Sequence, residues 1–407
     1  MLRHTGLGAY WLGTYFVITP IYTILLQVQV SQTVGQDLQA VAVGLATGIG
    51  GIFAMVLPPL VGHYSDGLRT RWGRRRPILV AGSLGLVLAI VVMGLAGNYP
   101  TLLLGFVLVV ALVNVAGAAF VAVIPDTVSS GELGRASGFL GFFVQLGSVL
   151  SLLTLLFASK AHQLKFSYVV IIAVLLLTLI ATLWAIGQEP VYEDRQKSEL
   201  PSFERLRIFI KPLWTGDFGW AVFTRFLNSS AFYTTLPFLL FVFRDVQKVP
   251  NPDQFTATFE LVVTAVAIPF AIVFGWLSDR LGRKRFVYAS AGISAVVLLA
   301  FLAGSSLSQT VVLALGALYG FGYGTYTAVD WALALDTLPD RSRSAKDMGL
   351  FHVADALPRV LIPTIAGVVV GVFNSFSTNL GYRAIFVMAA ILYVLGAVFV
   401  RQIKSVR

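Results

Sequence analysis

The chain has 407 residues, of which 57% are hydrophobic and 12% are charged, and its formal net charge is +10. A soluble protein carries about 25% charged residues, so this composition excludes an ordinary soluble domain. The basic residues lie in short loops between long apolar runs, which argues against a nucleic-acid-binding surface. The absence of cysteine excludes disulfides and thiolate metal sites.

Apolar runs of about 18 residues or more, the length that a helix needs to cross a bilayer, recur along the whole sequence. We therefore predict an all-α integral membrane protein with twelve transmembrane helices. These helices, called spans one to twelve, are predicted at 8–29, 39–61, 77–97, 101–125, 135–158, 167–188, 216–243, 255–277, 286–306, 308–336, 347–373 and 381–401.

One long polar segment divides the twelve spans into two sets of six. It reads EPVYEDRQKSELPSFERLRIFIKPLWT, with both charge signs and three prolines. We predict an N-terminal six-helix bundle over 1–188, a cytoplasmic linker over 189–215 and a C-terminal six-helix bundle over 216–407.

The basic residues also predict the orientation. If both termini and the loops after even-numbered spans share one side, that side holds 22 of the 29 lysines and arginines. The positive-inside rule makes this side cytoplasmic. No clear cleavage site follows the basic start at Arg3, so we expect a retained first helix. The pattern predicts a multi-pass protein of the plasma (inner) membrane with both termini in the cytoplasm.

A cationic motif, PLVGHYSDGLRTRWGRRRPILV, connects spans two and three, and GWLSDRLGRKRFVYASAG repeats it after span eight. Gly62, Ser65 and Asp66 match Gly275, Ser278 and Asp279 at an offset of 213. Shorter matches recur at offsets of 210 and 211, including Tyr22 with Tyr233 and Asp126 with Asp336. Matches in register across two sets of six spans indicate a duplicated unit, and hence two pseudo-symmetric six-helix bundles.

The two six-helix halves, the linker and the doubled motif resemble the major facilitator superfamily over essentially the whole chain. The longer first copy, SDGLRTRWGRRRP, resembles the sucrose/proton symporters and, less closely, the glycoside–pentoside–hexuronide:cation symporters. The segments VDWALALDTLPD and DMGLFHVADALPRVLIPTIAG resemble spans ten and eleven of bacterial members near the sucrose branch. The resemblance implies transport by alternating access, with spans one, four, seven and ten around a central cavity.

The resemblance also implies that the cationic motif is a cytoplasmic gate. The anionic Asp66 would meet the start of span eleven in the other half and favour the outward-open state. Gly62 would let span two approach a neighbouring helix closely. The alternative is that the motif only anchors the topology. The predicted gate residues are Gly62, Asp66, Arg74, Arg75, Arg76, Asp279, Arg283 and Arg285.

Ionisable side chains inside a membrane are costly and usually functional. Asp330 in span ten is our candidate coupling carboxylate, near but not locked to Arg225 in span seven. Asp355 and Arg359 are an i, i+4 pair in span eleven, and the alternative is that they only neutralise each other. The predicted proton-coupling residues are Asp330, Asp355, Arg359, Arg225 and His352. Glu260 lies near the outer end of span eight, where we expect it to reach water.

Polar stripes run along spans that the resemblance places around the cavity. Tyr319, Tyr323, Tyr326 and Asp330 share one helix face, and tyrosines suit a sugar because their rings pack on its apolar faces. The predicted substrate-binding residues are Tyr15, Tyr22, Asn114, Gln145, Arg225, Asn228, Tyr319, Tyr323 and Tyr326.

These features predict a proton-coupled symporter of a sugar or related polyhydroxylated molecule, acting as a monomer in the bilayer. We expect no metal, no cofactor and no nucleic-acid partner, and a proton rather than sodium, because spans two and four lack acidic residues in their interiors. One alternative is a proton-coupled exporter of drugs or amphiphiles, which the 30 phenylalanines permit. An intramembrane enzyme is a weaker alternative, since neither H-E-x-x-H nor a suitably placed G-x-S-x-G occurs.

Overall fold

A computed structural model describes residues 2–68, 70–73, 75–127, 133–161, 163–186, 211–214, 216–339 and 344–406. All regular structure in these ranges is helical. The predicted linker over 189–215 lies outside them, apart from a short 3₁₀ turn at Lys211–Trp214.

The first six spans are helices close to the predicted positions. Span one consists of Leu2–Pro20, a π-helical turn at Ile21–Leu25, and Leu26–Thr33; Pro20 has no N–H to donate, and the π-turn follows it directly. The other five are Gln39–Gly67, Arg76–Gly94, Tyr99–Thr127, Leu133–Lys160 and Leu164–Ile186.

The last six spans repeat this arrangement, including an interrupted first member. Span seven is helical at Gly216–Thr235, passes through a 3₁₀ turn at Leu236–Phe238 and the short helix Leu239–Phe241, and ends in a π-turn at Val242–Val246. The others are Pro252–Leu281, Arg283–Ala300 followed by the 3₁₀ stretch Phe301–Ser306, Gln309–Asp336, Ser344–Phe376 and Leu380–Val400.

Within the described residues, eleven helices are long and apolar enough to cross a membrane. The remaining predicted span, span ten at Gln309–Asp336, is a helix of 28 residues and is not among the eleven. Its glycines, tyrosines and buried Asp330 lower its mean hydropathy. The all-α membrane fold predicted from the sequence is confirmed.

The chain divides into two compact units. The first comprises residues 1–35 and 49–200, and the second comprises 36–48 and 201–407. In the first, span one packs on spans five and six, while span three packs on four and six. In the second, span seven packs on eleven and twelve, while span nine packs on ten and twelve. These contacts correspond when six is added to each span number, whereas the extensive contact of span eight with span ten has no counterpart of that extent between spans two and four.

Close helix packing in the second unit fixes the face that span ten presents. A Cβ at Gly320 or Gly324 would collide with the backbone of span eight at Val263 or Ala267. Small residues let two membrane helices approach this closely. The glycine face of span ten therefore packs on span eight, and the face with Tyr323, Tyr326 and Asp330 is left to line a cavity.

Candidate functional site

The second unit contains a polar cavity of about 190 Å³. Spans seven, ten, eleven and twelve supply its walls. Four ionisable side chains of opposite sign line it, and the rest of the lining is polar or aromatic: Arg225, Asp330, Asp355, Arg359, Asn228, Ser229, Thr327, Phe232, Tyr233, Tyr323, Tyr326, Trp331 and Tyr393.

Arg225 and Asp330 form a buried ion pair at one side of this cavity. Arg225 is 9% exposed and Asp330 is 3% exposed. The second carboxylate oxygen of Asp330 accepts a hydrogen bond from the Tyr326 hydroxyl at 2.9 Å. The guanidinium also lies over the Phe351 ring, 4.3 Å from its centroid. The expectation that Asp330 is near but not locked to Arg225 is therefore wrong for this conformation, in which the two are directly paired.

The predicted pair Asp355–Arg359 is confirmed and lies at another side of the cavity. Arg359 Nη2 donates to Asp355 Oδ2 at 2.9 Å. Ser229 in span seven donates to Asp355 Oδ1 at 2.8 Å, and Arg359 Nε donates to the Tyr233 hydroxyl at 3.0 Å. This pair is more open than the first, because the Arg359 side chain is 47% exposed. His352 does not line the cavity; it is exposed, and its ring lies 5.1 Å from that of Trp331.

Two polar atoms of the lining are buried and have no hydrogen-bond partner among the described residues. They are the acceptor Oδ1 of Asn228 and the donor Nε of Arg225. The amide nitrogen of Asn228 donates to the Thr224 carbonyl at 2.9 Å, which leaves its oxygen as the unused end. Buried polar groups are normally satisfied, and neither atom reaches the cavity surface in this conformation, so a ligand hydroxyl would meet them only after the wall rearranges.

Four predicted substrate residues lie in this cavity: Arg225, Asn228, Tyr323 and Tyr326. The Tyr323 ring stacks on Phe232 with centroids 4.8 Å apart, which gives the cavity a flat aromatic wall. Tyr319 lies elsewhere, contrary to its predicted place in the stripe. It is buried, bonds to the Tyr393 hydroxyl at 2.7 Å and lines a separate apolar cavity.

The other predicted substrate residues belong to the first unit. The Tyr15 ring lies 5.9 Å from that of Trp11, and the Tyr22 ring lies edge-on to Phe106 at 5.3 Å. Asn114 donates to the Val110 carbonyl of its own helix at 2.8 Å, and Gln145 is exposed.

The gate motif is partly described. The side chain of Asp66 and all of Arg74 lie outside the described residues. Arg75 is buried and donates to the Ser65 hydroxyl, while Arg76 Nη2 donates to the Leu183 carbonyl at 3.0 Å. The expected close approach at Gly62 is not present in this conformation, because a Cβ there would meet no described atom within 4 Å.

The second copy of the motif is described in full. Arg283 pairs with Asp279 at 2.9 Å and with Asp336 at the end of span ten. Arg283 Nη1 also lies 3.5 Å from the Ser278 hydroxyl, and Arg285 is exposed. This copy therefore ties the ends of spans eight and ten to the start of span nine.

Six cavity residues are absent from the predicted sites: Ser229, Phe232, Tyr233, Thr327, Trp331 and Tyr393. Thr327 and Trp331 follow Tyr323 at i+4 and i+8, so a wider helical face would have included them. Tyr393 carries no such signal, because the residues next to it in span twelve are apolar. Among the described residues, no group of three histidine or acidic side chains is placed to hold a metal ion.

A family model described as Major Facilitator Superfamily matches residues 9–363 and 254–405. An uncharacterised MFS-type transporter of Methanocaldococcus jannaschii is 25% identical over 346 residues, which span 81% of this chain and 79% of that protein. The sucrose transport protein SUT1 of Oryza sativa subsp. japonica is 45% identical over 49 residues, or 12% of this chain and 9% of that protein.

Solved structures share the fold at low sequence identity. A bacterial homologue of the human lysosomal transporter Spinster, in an inward-facing and occupied conformation, matches with a TM-score of 0.75 and 15% identity, over 98% of this chain and 95% of that one. The nucleoside transporter NupG matches with a TM-score of 0.74 and 12% identity, over 99% and 98%. At these identities the similarity shows the fold alone.

Proposed function

The chain belongs to the major facilitator superfamily of membrane transporters and is not an enzyme, and on that premise we propose that it is a proton-coupled symporter of a sugar or related polyhydroxylated molecule. The proposal includes a proton rather than sodium as the coupling ion, no cofactor, and a monomer as the working unit. It also places the protein in the plasma (inner) membrane with both termini in the cytoplasm, as the basic loops favour.

The observation that carries the proposal is the buried Arg225–Asp330 pair on the wall of a cavity that offers hydroxyl-binding groups. The Phe232–Tyr323 stack offers an aromatic face, and a rearrangement of the wall would let the Asn228 oxygen accept from a ligand hydroxyl and Arg225 Nε donate to one. A sugar carries hydroxyls around apolar ring faces, so it would use both the hydrogen-bonding groups and the aromatic face of this cavity.

Two similarities support this substrate class. The locally matching rice protein is named as a sucrose transport protein, and the structural neighbour NupG is named as a transporter of nucleosides, which contain a sugar ring. The first covers a small part of the chain and the second shows only the fold, so the cavity chemistry remains the main support.

The Arg225–Asp330 pair provides a mechanism for coupling proton binding to substrate transport. While Asp330 is ionised, Arg225 and the Tyr326 hydroxyl hold it in place. Protonation removes the charge that Arg225 attracts, so the pair loosens and the guanidinium becomes available to a ligand hydroxyl. Coupling requires that the two conformations of the transport cycle hold this proton with different affinity, since equal affinity would drive nothing.

The first step in testing the proposed function is to identify a ligand. A thermal-shift screen of the purified protein against sugars, polyols and amphiphilic amines identifies it, because a ligand of the native state raises the melting temperature. Stabilisation by amphiphilic amines alone would overturn the sugar proposal and favour an exporter of amphiphiles.

Proteoliposomes then test the coupling residue. Asp330→Asn mimics the protonated acid, so we expect loss of pH-driven accumulation but survival of ligand exchange, which requires no net proton release. Asp355→Asn is the matched control, and we expect it to retain accumulation with a higher half-saturation concentration. Accumulation by Asp330→Asn under a pH difference alone would rule out Asp330 as the coupling site.

A further inference from the structure

A second, smaller cavity of about 30 Å³ lies in the same unit. Spans seven, eight, nine, ten and twelve line it with side chains that are almost all apolar, among them Leu239, Val297 and Phe386. The exceptions are the Thr235 hydroxyl, the Tyr319 hydroxyl and the carboxyl group of Glu260. Glu260, which we expect to reach water at the outer end of span eight, is partly buried and lines this cavity.

Glu260 has no ion pair or hydrogen bond with any residue that the structure describes. The facing elements contribute no cation: span nine contributes Val297 and Leu298, span twelve contributes Phe386, and span ten contributes only the neutral Tyr319. An unpaired carboxylate in apolar surroundings is costly, whereas a neutral carboxylic acid is not. A bound proton is therefore the ligand that this cavity suits.

A pair of hydroxyls connects this cavity with the polar one. Tyr319 lines the Glu260 cavity, Tyr393 lines the cavity with Arg225 and Asp330, and their hydroxyl oxygens are 2.7 Å apart. A tyrosine hydroxyl both donates and accepts, so two in contact pass a proton along a chain. The small cavity is large enough for a water molecule between Glu260 and Tyr319, since about 10–15 Å³ is sufficient.

We propose that Glu260 is a second proton-binding site, which exchanges its proton with the polar cavity through the Tyr319–Tyr393 hydroxyl pair. The proton that leaves the Glu260 carboxyl goes to the oxygen of a bridging water or of Tyr319. Tyr319 passes its own proton to Tyr393, whose proton enters the polar cavity. Each hydroxyl ends with one proton, so the net change is the transfer of one proton from Glu260 to a water molecule in the polar cavity. Only the use of this proton in transport rests on the proposed function; the proton-binding site itself does not.

Infrared spectroscopy of the full chain in lipid nanodiscs tests the site without a transport assay. The measured quantity is the carbonyl band of protonated carboxyl groups, recorded in the Asp330→Asn background so that Asp330 cannot contribute. We expect the band to be lost in Glu260→Gln, to shift in Glu260→Asp, and to remain in Asp253→Asn, which removes a carboxyl from the first turn of the same span. A band that Glu260→Gln leaves unchanged would overturn the proposal.

The hydroxyl bridge is tested by the rate at which this band shifts after transfer to D₂O. We expect Tyr393→Phe to keep the band and slow the shift, because it removes the hydroxyl that faces the polar cavity. An unchanged rate in Tyr393→Phe and in Tyr319→Phe would overturn the route. Since every measurement uses protein that carries Asp330→Asn, a failed coupling role for Asp330 leaves the result at Glu260 interpretable.

Discussion

The two units share several helix contacts but differ in the polar groups that they contain. Between side chains that the structure describes, every ion pair lies in the second unit. Among the described contacts, the first unit has neutral bonds, such as those that Gln29 makes with the Tyr168 hydroxyl and the Met93 carbonyl, both at 2.8 Å, and a buried Arg75 that bonds the Ser65 hydroxyl rather than a carboxylate. Several helix contacts thus correspond between the units, whereas the described ion pairs lie in the second.

One matched pair of tyrosines shows the same divergence between the two units. Tyr22 and Tyr233 occupy matching places in spans one and seven at an offset of 211. The Tyr22 ring packs against Phe106, whereas the Tyr233 hydroxyl accepts a hydrogen bond from Arg359. The same residue type supports apolar packing in one unit and a charged network in the other, because the partner side chains differ.

The largest expected effect comes from removing one partner of the buried Arg225–Asp330 ion pair in the second unit. Arg225→Leu removes the cation that pairs with the buried Asp330, and removal of one partner of a buried ion pair costs about 3–5 kcal/mol. The double variant Arg225→Leu/Asp330→Leu should regain most of that stability while lacking pH-driven uptake. Melting temperatures of the purified variants at neutral pH measure this.

Asn114→Leu is the matched change in the first unit. We expect it to cost no more than about 1 kcal/mol, because Asn114 bonds only the Val110 carbonyl of its own helix. Equal destabilisation by Arg225→Leu and Asn114→Leu would contradict the difference between the two units.

A smaller effect is expected from the glycines. Gly324→Ala places a Cβ against the backbone of Ala267, which cannot move aside cheaply, so we expect a loss of about 1–3 kcal/mol and impaired uptake. Gly62→Ala in the first unit meets no described atom within 4 Å and should change stability by less than about 0.5 kcal/mol. If thermal unfolding shows Gly62→Ala to be the more damaging change, span two is tightly packed in another conformation of the protein.

The smallest expected effect is a difference in stability between serine variants of the two copies of the cationic motif. Ser65→Ala removes a hydroxyl that accepts from the buried Arg75, and we expect a loss of about 1 kcal/mol. Ser278→Ala should be nearly neutral, because Arg283 reaches that hydroxyl only at 3.5 Å and is held by Asp279 and Asp336. Melting temperatures compare the two variants directly, and equal losses would show that the copies use their serines alike.

Sequence reasoning worked where the information is local. Apolar runs predicted the helices, and the i, i+4 spacing predicted the Asp355–Arg359 pair, because the helical period brings those positions onto one face. The Arg225–Asp330 contact joins residues 105 positions apart, and only the resemblance to a family suggested that their spans are neighbours. Even then their direct pairing was not predicted, since periodicity says nothing of distances between helices.

By itself, the sequence determined that the protein crosses a membrane, that it is built from a repeated six-helix unit, and which residues carry charge within the spans. Only the tertiary structure decided how those residues are partnered. In the tertiary structure Tyr319 lies outside the polar cavity, Tyr393 lines that cavity, and Glu260 lines a mostly apolar one. The physical reason is that a helix face spans a wide angle, and the packing of neighbouring helices determines which part of that face lines a cavity.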